Sequence, residues 1–333
     1  MPKPNLIFYC ELDEPGLIEM FTGGRVVTLL EEIGASVSMG IRDMSDGRAE
    51  IVRSLNAANI PVIAWLLLPQ EQGYWFNAGN WPYAQQRYHA FKDWSAKHNL
   101  QWAGIGLDIE PDRNEIEFLI SSGGKGVFRL LKRAFSTSDA LVRAQFAYEQ
   151  LVAQMRADGF SVDVYHIPTI IDERRAGSHT LSHLFQLVDV PADREVLMLY
   201  SSFFGKNGVG GLWSYASQAQ SIGVGSTGGG VEIGDLPSRI LSWDEFARDL
   251  RLASYHTTNI HVFSLEGCVQ QHYLENLIDF DWAADVAIPR ESARTFDRMR
   301  LALQAILWLS ARPRVILGTL LVLWLARQRR QAS

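Results

Sequence analysis

The chain has 333 residues, 47% of them hydrophobic and 20% charged, and its net charge is -6 at pH 7. This composition is typical of a globular protein with a large core, and the acidic balance argues against a nucleic-acid partner, which selects for a basic face. Two cysteines are too few for a disulfide framework. Because no secretory signal precedes the first predicted strand, we expect a cytoplasmic protein, either free or at the cytoplasmic face of a membrane.

Short apolar segments alternate with longer amphipathic segments along most of the chain. Eight strands alternating with helices predict a (β/α)8 TIM barrel, because doubly wound sheets more often stop at five to seven strands. The predicted strands cover residues 6–12, 36–41, 61–68, 102–109, 161–168, 195–203, 220–225 and 259–265. The predicted helices cover residues 15–33, 47–58, 82–98, 138–158, 179–188, 213–219 and 243–257.

Carboxylates follow several of these strands, at the end of the barrel where active sites of this fold lie. The most informative segment is GIGLDIEP, residues 104–111. Side chains two residues apart on a strand share a face, so Asp108 and Glu110 are expected to point the same way. A carboxyl beside a second one has a raised pKa and can stay protonated as a general acid. Glu11 and Glu266 end the first and last predicted strands, and we expect them to bind the substrate.

This segment resembles the fourth-strand signature of chitinase-type (family 18) glycoside hydrolases, an Asp-x-x-Asp-x-Asp-x-Glu run. The resemblance implies a catalytic acid at Glu110 and an orienting acidic partner at Asp108. The first two acidic positions of the signature fall on Ala103 and Gly106, so this chain has the motif in a degenerate form.

A second stretch, LMLY at residues 197–200, is similar to the sixth-strand motif of the same family. The resemblance implies that Tyr200 orients the substrate, although the aspartate that should follow is Ser201. Aromatic side chains near the same end of the barrel offer flat apolar faces to sugar rings. On this basis we expect Trp65, Trp75 and Trp213 to bind the substrate.

The leading hypothesis is therefore a glycoside hydrolase-like enzyme that acts on a carbohydrate or glycoconjugate, with no metal and no cofactor. Glu266 could also be the nucleophile of a retaining pair, which needs carboxyl groups about 5–5.5 Å apart. Two other functions stay open. A divalent-metal enzyme could use Glu11, Asp108, Glu110 and Glu266 as oxygen ligands. A non-catalytic barrel could bind carbohydrate or lipid headgroups, which the two missing acidic residues of the motif would favour.

A glycine-rich run at residues 223–228, GVGSTG, matches the letters of a dinucleotide-binding fingerprint. The fingerprint requires a helix directly after it, and none is predicted here. We expect a flexible loop and no dinucleotide. Phosphate binding remains an alternative, because barrels often bind phosphate after the seventh and eighth strands.

Residues 301–333 form a strongly apolar tail interrupted by Arg-Pro-Arg at 312–314. The second apolar part is shorter than the roughly 20 residues that cross a bilayer as a helix. One interpretation is a last barrel helix over residues 291–311, followed by a helix packed on the protein. We favour membrane contact through residues 301–330, because such a tail exposed to water would be a large apolar patch. The boundary of the barrel domain is accordingly placed after residue 300.

Overall fold

Eight parallel strands close into a barrel, which confirms the predicted (β/α)8 TIM-barrel fold. The computed structural model describes residues 3–111, 139–230 and 239–312. The strands are β1 (Asn5–Cys10), β2 (Ser36–Ile41), β3 (Val62–Leu66), β4 (Gly104–Asp108), β5 (Val162–His166), β6 (Arg194–Met198), β7 (Ser221–Gly225) and β8 (Asn259–Phe263). Each strand pairs with its neighbours in sequence order, and β1 also pairs with β8 to close the barrel.

Helices of the described residues surround the strands. They are α1 (Glu14–Phe21), α2 (Arg25–Ile33), α3 (Asp46–Ala57), α4 (Trp81–His98), α5 (Asp139–Ala157), α6 (Thr169–Ala176), α7 (Thr180–Phe185), α8 (Gly208–Ala216), α9 (Trp243–Ser254), α10 (Leu265–Gln270), α11 (Tyr273–Ile278) and α12 (Arg290–Ser310). The predicted helix over residues 15–33 is in fact two helices. Gly23 and Gly24 separate them with φ values of 79° and 73°, in the left-handed region that a continuous helix cannot include.

The side chains of the strands alternate between two hydrophobic layers. Those that point outward, such as Val37 and Ile105, pack beneath the helices in the main core. Those that point inward include Tyr9, Trp65 and Tyr165, which form an aromatic cluster inside the barrel. The Tyr9 ring centroid lies 5.2 Å from that of Trp65 and 5.0 Å from that of Tyr165, with edge-on geometry in both pairs. This cluster is the floor on which the site described below is built.

Helix α12 packs on α8 and α6 through a buried polar network. The Arg300 guanidinium donates from Nε to Asp172 Oδ1 at 3.0 Å and from Nη1 to the Ser214 carbonyl oxygen at 2.5 Å. It also lies over the Tyr215 ring, 3.7 Å from the centroid. One turn later the Gln304 amide donates to the same Asp172 carboxylate at 2.6 Å. This network joins the end of the described chain to the outer layer of the barrel.

The expected domain boundary after residue 300 falls in the middle of α12. Gln304 binds Asp172 from beyond that boundary, and Leu307 is buried. The part of the predicted tail from residue 313 onward lies outside the described residues. None of the helices in the described ranges combines the length and the apolar character needed to cross a membrane.

Candidate active site

A cavity of about 90 Å³ lies at the C-terminal ends of the strands. Six of the eight site residues predicted from the sequence line it: Glu11, Trp65, Trp75, Asp108, Glu110 and Tyr200. Five further lining residues were not among those predictions: Tyr9, Tyr165, Met198, Phe203 and Phe263. A wider cavity of about 580 Å³ occupies the opposite end of the barrel. We take the smaller cavity as the candidate active site, because the paired carboxyl groups face it.

The two predicted catalytic residues are held by the backbone at the end of β4. Strand pairing continues past Asp108 through an isolated bridge between Ile109 and Phe76, from the loop after β3. The Phe76 amide donates to the Asp108 carbonyl oxygen at 2.9 Å, and the Glu110 amide donates to the Phe76 carbonyl oxygen at 3.1 Å. These bonds keep residues 108–110 extended beyond the strand, so that both carboxyl groups point into the cavity.

The side chains of Asp108 and Glu110 form a pair of interacting carboxyl groups. Asp108 is buried, and its Oδ2 accepts a hydrogen bond from Trp65 Nε1 at 3.2 Å. Burial raises the pKa of Asp108 well above its usual range, and the charges of Glu110 and Glu11 raise it further. Burial and the Glu11 charge raise the pKa of Glu110 to about 7, although the neighbouring Asp108 carboxyl acts in the opposite direction. Both shifts favour the protonated form, so Glu110 is partly protonated near neutral pH.

Glu11 contributes a third carboxylate from the end of β1. The Tyr74 hydroxyl donates to Glu11 Oε1 at 2.7 Å. The Arg42 guanidinium donates to the Glu11 carbonyl oxygen at 2.9 Å, and it lies 6.0 Å from the centroid of the Tyr74 ring. Tyrosine and arginine thus fix both ends of this residue. The negative charge of Glu11 raises the pKa of Asp108, of Glu110 and of Glu266.

The position predicted for Glu266, at the end of the last strand, is wrong. Strand β8 ends at Phe263, and Ser264 caps α10 by accepting a hydrogen bond from the Gly267 amide. Glu266 therefore lies in the first helical turn, 98% buried, and does not line the cavity. Its Oε1 accepts a 3.3 Å hydrogen bond from the Glu11 amide, while burial raises its pKa to about 7. Glu266 thus binds the backbone of Glu11 without lining the cavity.

The glycine-rich segment covers Glu266. Residues 226–230 form a loop after β7, and the φ values of Gly228, Gly229 and Gly230 are 111°, 74° and 83°. A Cβ atom on Gly229 would lie 2.3 Å from Glu266 Cγ, and one on Gly230 would lie 3.0 Å from Glu11 Oε2. The described part of the run therefore packs its backbone flat against two carboxyl side chains. It does not open into a helix as a dinucleotide site requires.

Structure also accounts for the two acidic positions that are missing from the motif. Gly106 faces the barrel interior, where a Cβ would come within 2.1 Å of the Tyr165 hydroxyl. That hydroxyl shares a 2.9 Å hydrogen bond with the Ser38 hydroxyl. Ala103 lies at the opposite end of the barrel, in the lining of the wider cavity. Tyr165 of β5 therefore fills the space that an acidic side chain at position 106 would need, and position 103 is remote from the site.

Aromatic rings form the outer part of the cavity. The Tyr200 ring stacks edge-on against Phe203, with centroids 5.3 Å apart, and lies 5.6 Å from the Phe263 ring. Phe203 is 61% exposed, so an apolar ring stands at the entrance. Trp213, which we expected to bind the substrate, is a residue of α8, and its ring instead packs against that of His256, with centroids 4.8 Å apart. It lies outside the residues that line the cavity.

Alternation along the strands could have identified some of the lining residues that were missed. Tyr9 precedes Glu11 by two residues, so both point into the barrel. Phe203 and Phe263 have no comparable signal, because their positions depend on where β6 and β8 end.

The Ser201 hydroxyl, at the position where the sixth-strand motif has an aspartate, donates to the buried carboxylate of Asp249 on α9. Among the described residues, no group of three or more histidine, cysteine, aspartate or glutamate side chains is arranged to hold a metal ion.

No known family model matches the chain, and no curated protein sequence matches it. Several solved structures are similar to this chain at low identity. A GH18 chitinase from Pseudoalteromonas aurantia is 10% identical, with 82% of this chain and 98% of that chain covered and a TM-score of 0.45. The PgaB (BpsB) glycoside hydrolase domain from Bordetella bronchiseptica is 9% identical over 85% and 100% of the chains, with a TM-score of 0.48. A D-allulose 3-epimerase from Methylomonas sp. is 10% identical over 90% and 99%, with a TM-score of 0.42.

Proposed function

We propose that the protein is a glycoside hydrolase-like enzyme in which Glu110 is the general acid and Asp108 its partner. The observation that carries the proposal is the carboxyl pair at the C-terminal end of the barrel, with the pKa of Glu110 raised to about 7. A group with this pKa is partly protonated at neutral pH, and it can both give up and regain a proton during turnover. A surface pair of carboxylates would be ionised and would have no such capacity.

The contacts of the pair support a specific order of proton movements. Glu110 would donate its proton to the glycosidic oxygen as the bond to the anomeric carbon breaks. The pKa of Asp108 is also raised, so Asp108 can keep its own proton beside the Glu110 carboxylate that forms. The Glu11 carboxylate lines the same cavity and would stabilise positive charge that develops on the sugar ring. Glu110 could then accept a proton from the attacking water.

The size and lining of the cavity bear on the substrate. A cavity of about 90 Å³ is far smaller than the roughly 300–1,000 Å³ of typical small-molecule sites. It can enclose the reacting edge of one sugar ring and not a complete disaccharide. The exposed Phe203 ring at the entrance offers an apolar face to the remainder of that ring. We therefore expect a carbohydrate or glycoconjugate that is cleaved next to a single enclosed residue.

The decisive experiment compares two carboxyl substitutions in the same barrel. Glu110→Gln should lower kcat on a cleaved substrate at least about a hundredfold, because it removes the proton donor and keeps the shape. Asp163→Asn is the matched control, since Asp163 is also buried and inward-facing but lines the cavity at the other end. It should leave kcat within about twofold. Near wild-type turnover by Glu110→Gln, with its fold intact by circular dichroism, would contradict the proposal.

A non-catalytic carbohydrate-binding barrel is the second candidate. It is favoured by the tyrosine that fills the position of a motif carboxylate beside Gly106. The two functions differ in a measurable way. A binding protein would hold oligosaccharides in calorimetric titrations without releasing reducing ends, and Glu110→Gln would change its affinity and not a rate.

A further inference from the structure

The outer face of helix α12 is unusually apolar. Met299, Leu301 and Ile306 are 60%, 64% and 63% exposed, and Trp308 and Leu309 are each 42% exposed. We call these five side chains the apolar face of α12. At 100° per residue they all lie on the half of the helix turned away from the barrel. Water is a poor solvent for such a contiguous group, and on a soluble protein it indicates an interaction surface.

The opposite half of the helix holds α12 in place. Arg300 is buried and bonded to Asp172, and Leu307 is buried three turns after Phe296. The barrel's packing thus uses one half of the helix, and the five side chains of the apolar face remain at least 42% exposed. The face is also presented rigidly, because the helix cannot rotate without breaking the Arg300 contacts.

Charge identifies the kind of partner. From Arg298 to the C-terminus the sequence contains seven arginines and no lysine, aspartate or glutamate. The whole chain has a net charge of -6, so residues 1–297 carry -13 while the last 36 residues carry +7. A strongly acidic protein that ends in a basic and apolar segment is matched to a surface that is itself anionic and apolar beneath. An anionic lipid bilayer has both properties.

The end of the helix has the side chains typical of a membrane interface. The Arg312 guanidinium lies 4.6 Å from the centroid of the Trp308 ring and donates to the Ala176 carbonyl oxygen at 3.1 Å. Tryptophan and arginine both favour the headgroup region, where an apolar body and a polar end are solvated together. The chain then continues beyond the described residues with the apolar sequence VILGTLLVLWLA at 315–326 and four more arginines.

We propose that the apolar face of α12 lies in the headgroup region of an anionic lipid bilayer, so that the barrel is held at the membrane surface by its last helix. The helix would lie parallel to the membrane plane, since one half of it is bound to the barrel. This proposal does not depend on the proposed catalytic activity. Two other occupants of the face, a second copy of the chain and residues 315–326 of the same chain, are outcomes of the test.

Two buried thiols make the test simple. Cys10 and Cys268 are both free and fully buried, so one introduced surface cysteine can be labelled selectively. The full-length chain would carry Ile306→Cys or, as a matched control, Val142→Cys, which is 60% exposed on α5. Each is labelled with a nitrobenzoxadiazole dye, whose emission rises in an apolar medium. With vesicles of phosphatidylcholine containing phosphatidylserine, the label at position 306 should brighten several-fold, and the label at 142 should not change.

Two further comparisons separate the electrostatic contribution to vesicle binding from the apolar contribution. Vesicles of phosphatidylcholine alone, or added salt, should weaken binding of the full-length chain, because the arginines then lose their anionic partner. The double substitution Leu301→Gln with Ile306→Gln should lower the vesicle partition coefficient at least about tenfold, since two large apolar side chains no longer enter the lipid. The control pair Val142→Gln with Phe146→Gln should leave the partition coefficient unchanged.

Three results would overturn the proposal. A label at 306 that is bright without vesicles at every protein concentration would mean that the chain covers its own face. Brightness that grows with protein concentration, together with a dimer in analytical ultracentrifugation, would assign the face to a second copy. A dim label that vesicles do not change would show that the face stays in water even when the protein sediments with lipid.

Discussion

Glu266 places a carboxyl group where water can scarcely reach it, and this has a consequence for stability. Burial raises the pKa of Glu266 to about 7, whereas an unfolded chain restores an ordinary value near 4.5. The folded state therefore holds the proton more tightly, and stability falls as pH rises from about 4.5 to about 7. Over this window the loss is about 3 kcal/mol for one such group.

We predict that Glu266→Gln is more stable than the wild type by roughly 1–3 kcal/mol at pH 8 and about equal to it at pH 4.5. The glutamine carbonyl oxygen can still accept the hydrogen bond from the Glu11 amide. Urea unfolding at the two pH values measures the difference. Glu31→Gln, at an exposed position of α2, is the control and should show no pH-dependent gain. Equal gains for both substitutions would mean that burial of Glu266 has no energetic effect.

At the level of elements, the loop after β7, residues 226–230, depends on glycine for two separate reasons. Gly229 has a φ of 74°, and a Cβ there would also collide with Glu266 Cγ at 2.3 Å. Gly23, between α1 and α2, has a similar φ of 79° with no atom within 4 Å of its ideal Cβ. A substitution at Gly23 therefore tests backbone strain alone, whereas the same substitution at Gly229 tests backbone strain together with a steric collision.

We predict that Gly23→Ala costs about 1 kcal/mol of unfolding free energy, the usual price of a left-handed alanine. Gly229→Ala should cost about 3 kcal/mol or more, because overpacking against Glu266 adds to the same strain. Chemical denaturation of both variants at one pH gives the comparison. Similar costs at the two positions would mean that the loop moves away from Glu266 without penalty.

Predictability from the sequence also varies with the type of element. All eight strands were predicted because their apolar runs are bounded by glycine, proline and polar residues. The end of β8 was misplaced because Ser264 acts as a helix cap, and the apolar Leu265 after it reads equally well as strand. The helix α6 was missed for a similar reason, since it begins directly after Pro168 and its only buried aliphatic side chains are those of Ile170, Ile171 and Ala176.

The site itself was predictable only in part. Asp108, Glu110 and Glu11 follow from strand alternation, which is a local rule. Trp213 was misplaced because its sequence position does not reveal which side of α8 faces the barrel mouth, and that is decided by packing against His256. The raised pKa values depend on burial and on charges from distant strands, so they become visible only once the barrel is closed.

For the molecule as a whole, helix α12 is a structural part of the barrel and not only an appendage. The Arg300–Asp172 pair is buried on both sides, with 2.9 Å between Arg300 Nη2 and Asp172 Oδ1. Removing one member of such a pair leaves an uncompensated charge and costs roughly 3–5 kcal/mol. We predict that Arg300→Ala lowers the urea midpoint accordingly. Arg298→Ala, at an exposed position two residues earlier, should change stability by less than about 0.5 kcal/mol.

The same network predicts how far the chain can be shortened without loss of stability. Ending the chain after residue 300 would remove Gln304 and the buried Leu307, so the sequence-based boundary should give a less stable barrel. Ending it after Arg312 keeps every contact of α12 that the structure describes. Thermal unfolding of the two truncated chains distinguishes the boundaries, and equal midpoints would restore the earlier one.

The pairing of β1 with β8 joins segments that lie about 250 residues apart, from Asn5 beside Asn259 to Tyr9 beside Phe263. During synthesis β1 is made first, and its second neighbour is made only after most of the chain has been translated. Until then β1 exposes an unpaired edge of aromatic and aliphatic residues, and such edges attract other chains. Contacts of this sequence separation also form slowly. A growing chain is thus exposed to aggregation until Phe263 has left the ribosome, and chaperones that shield nascent strands should raise its yield in the cell.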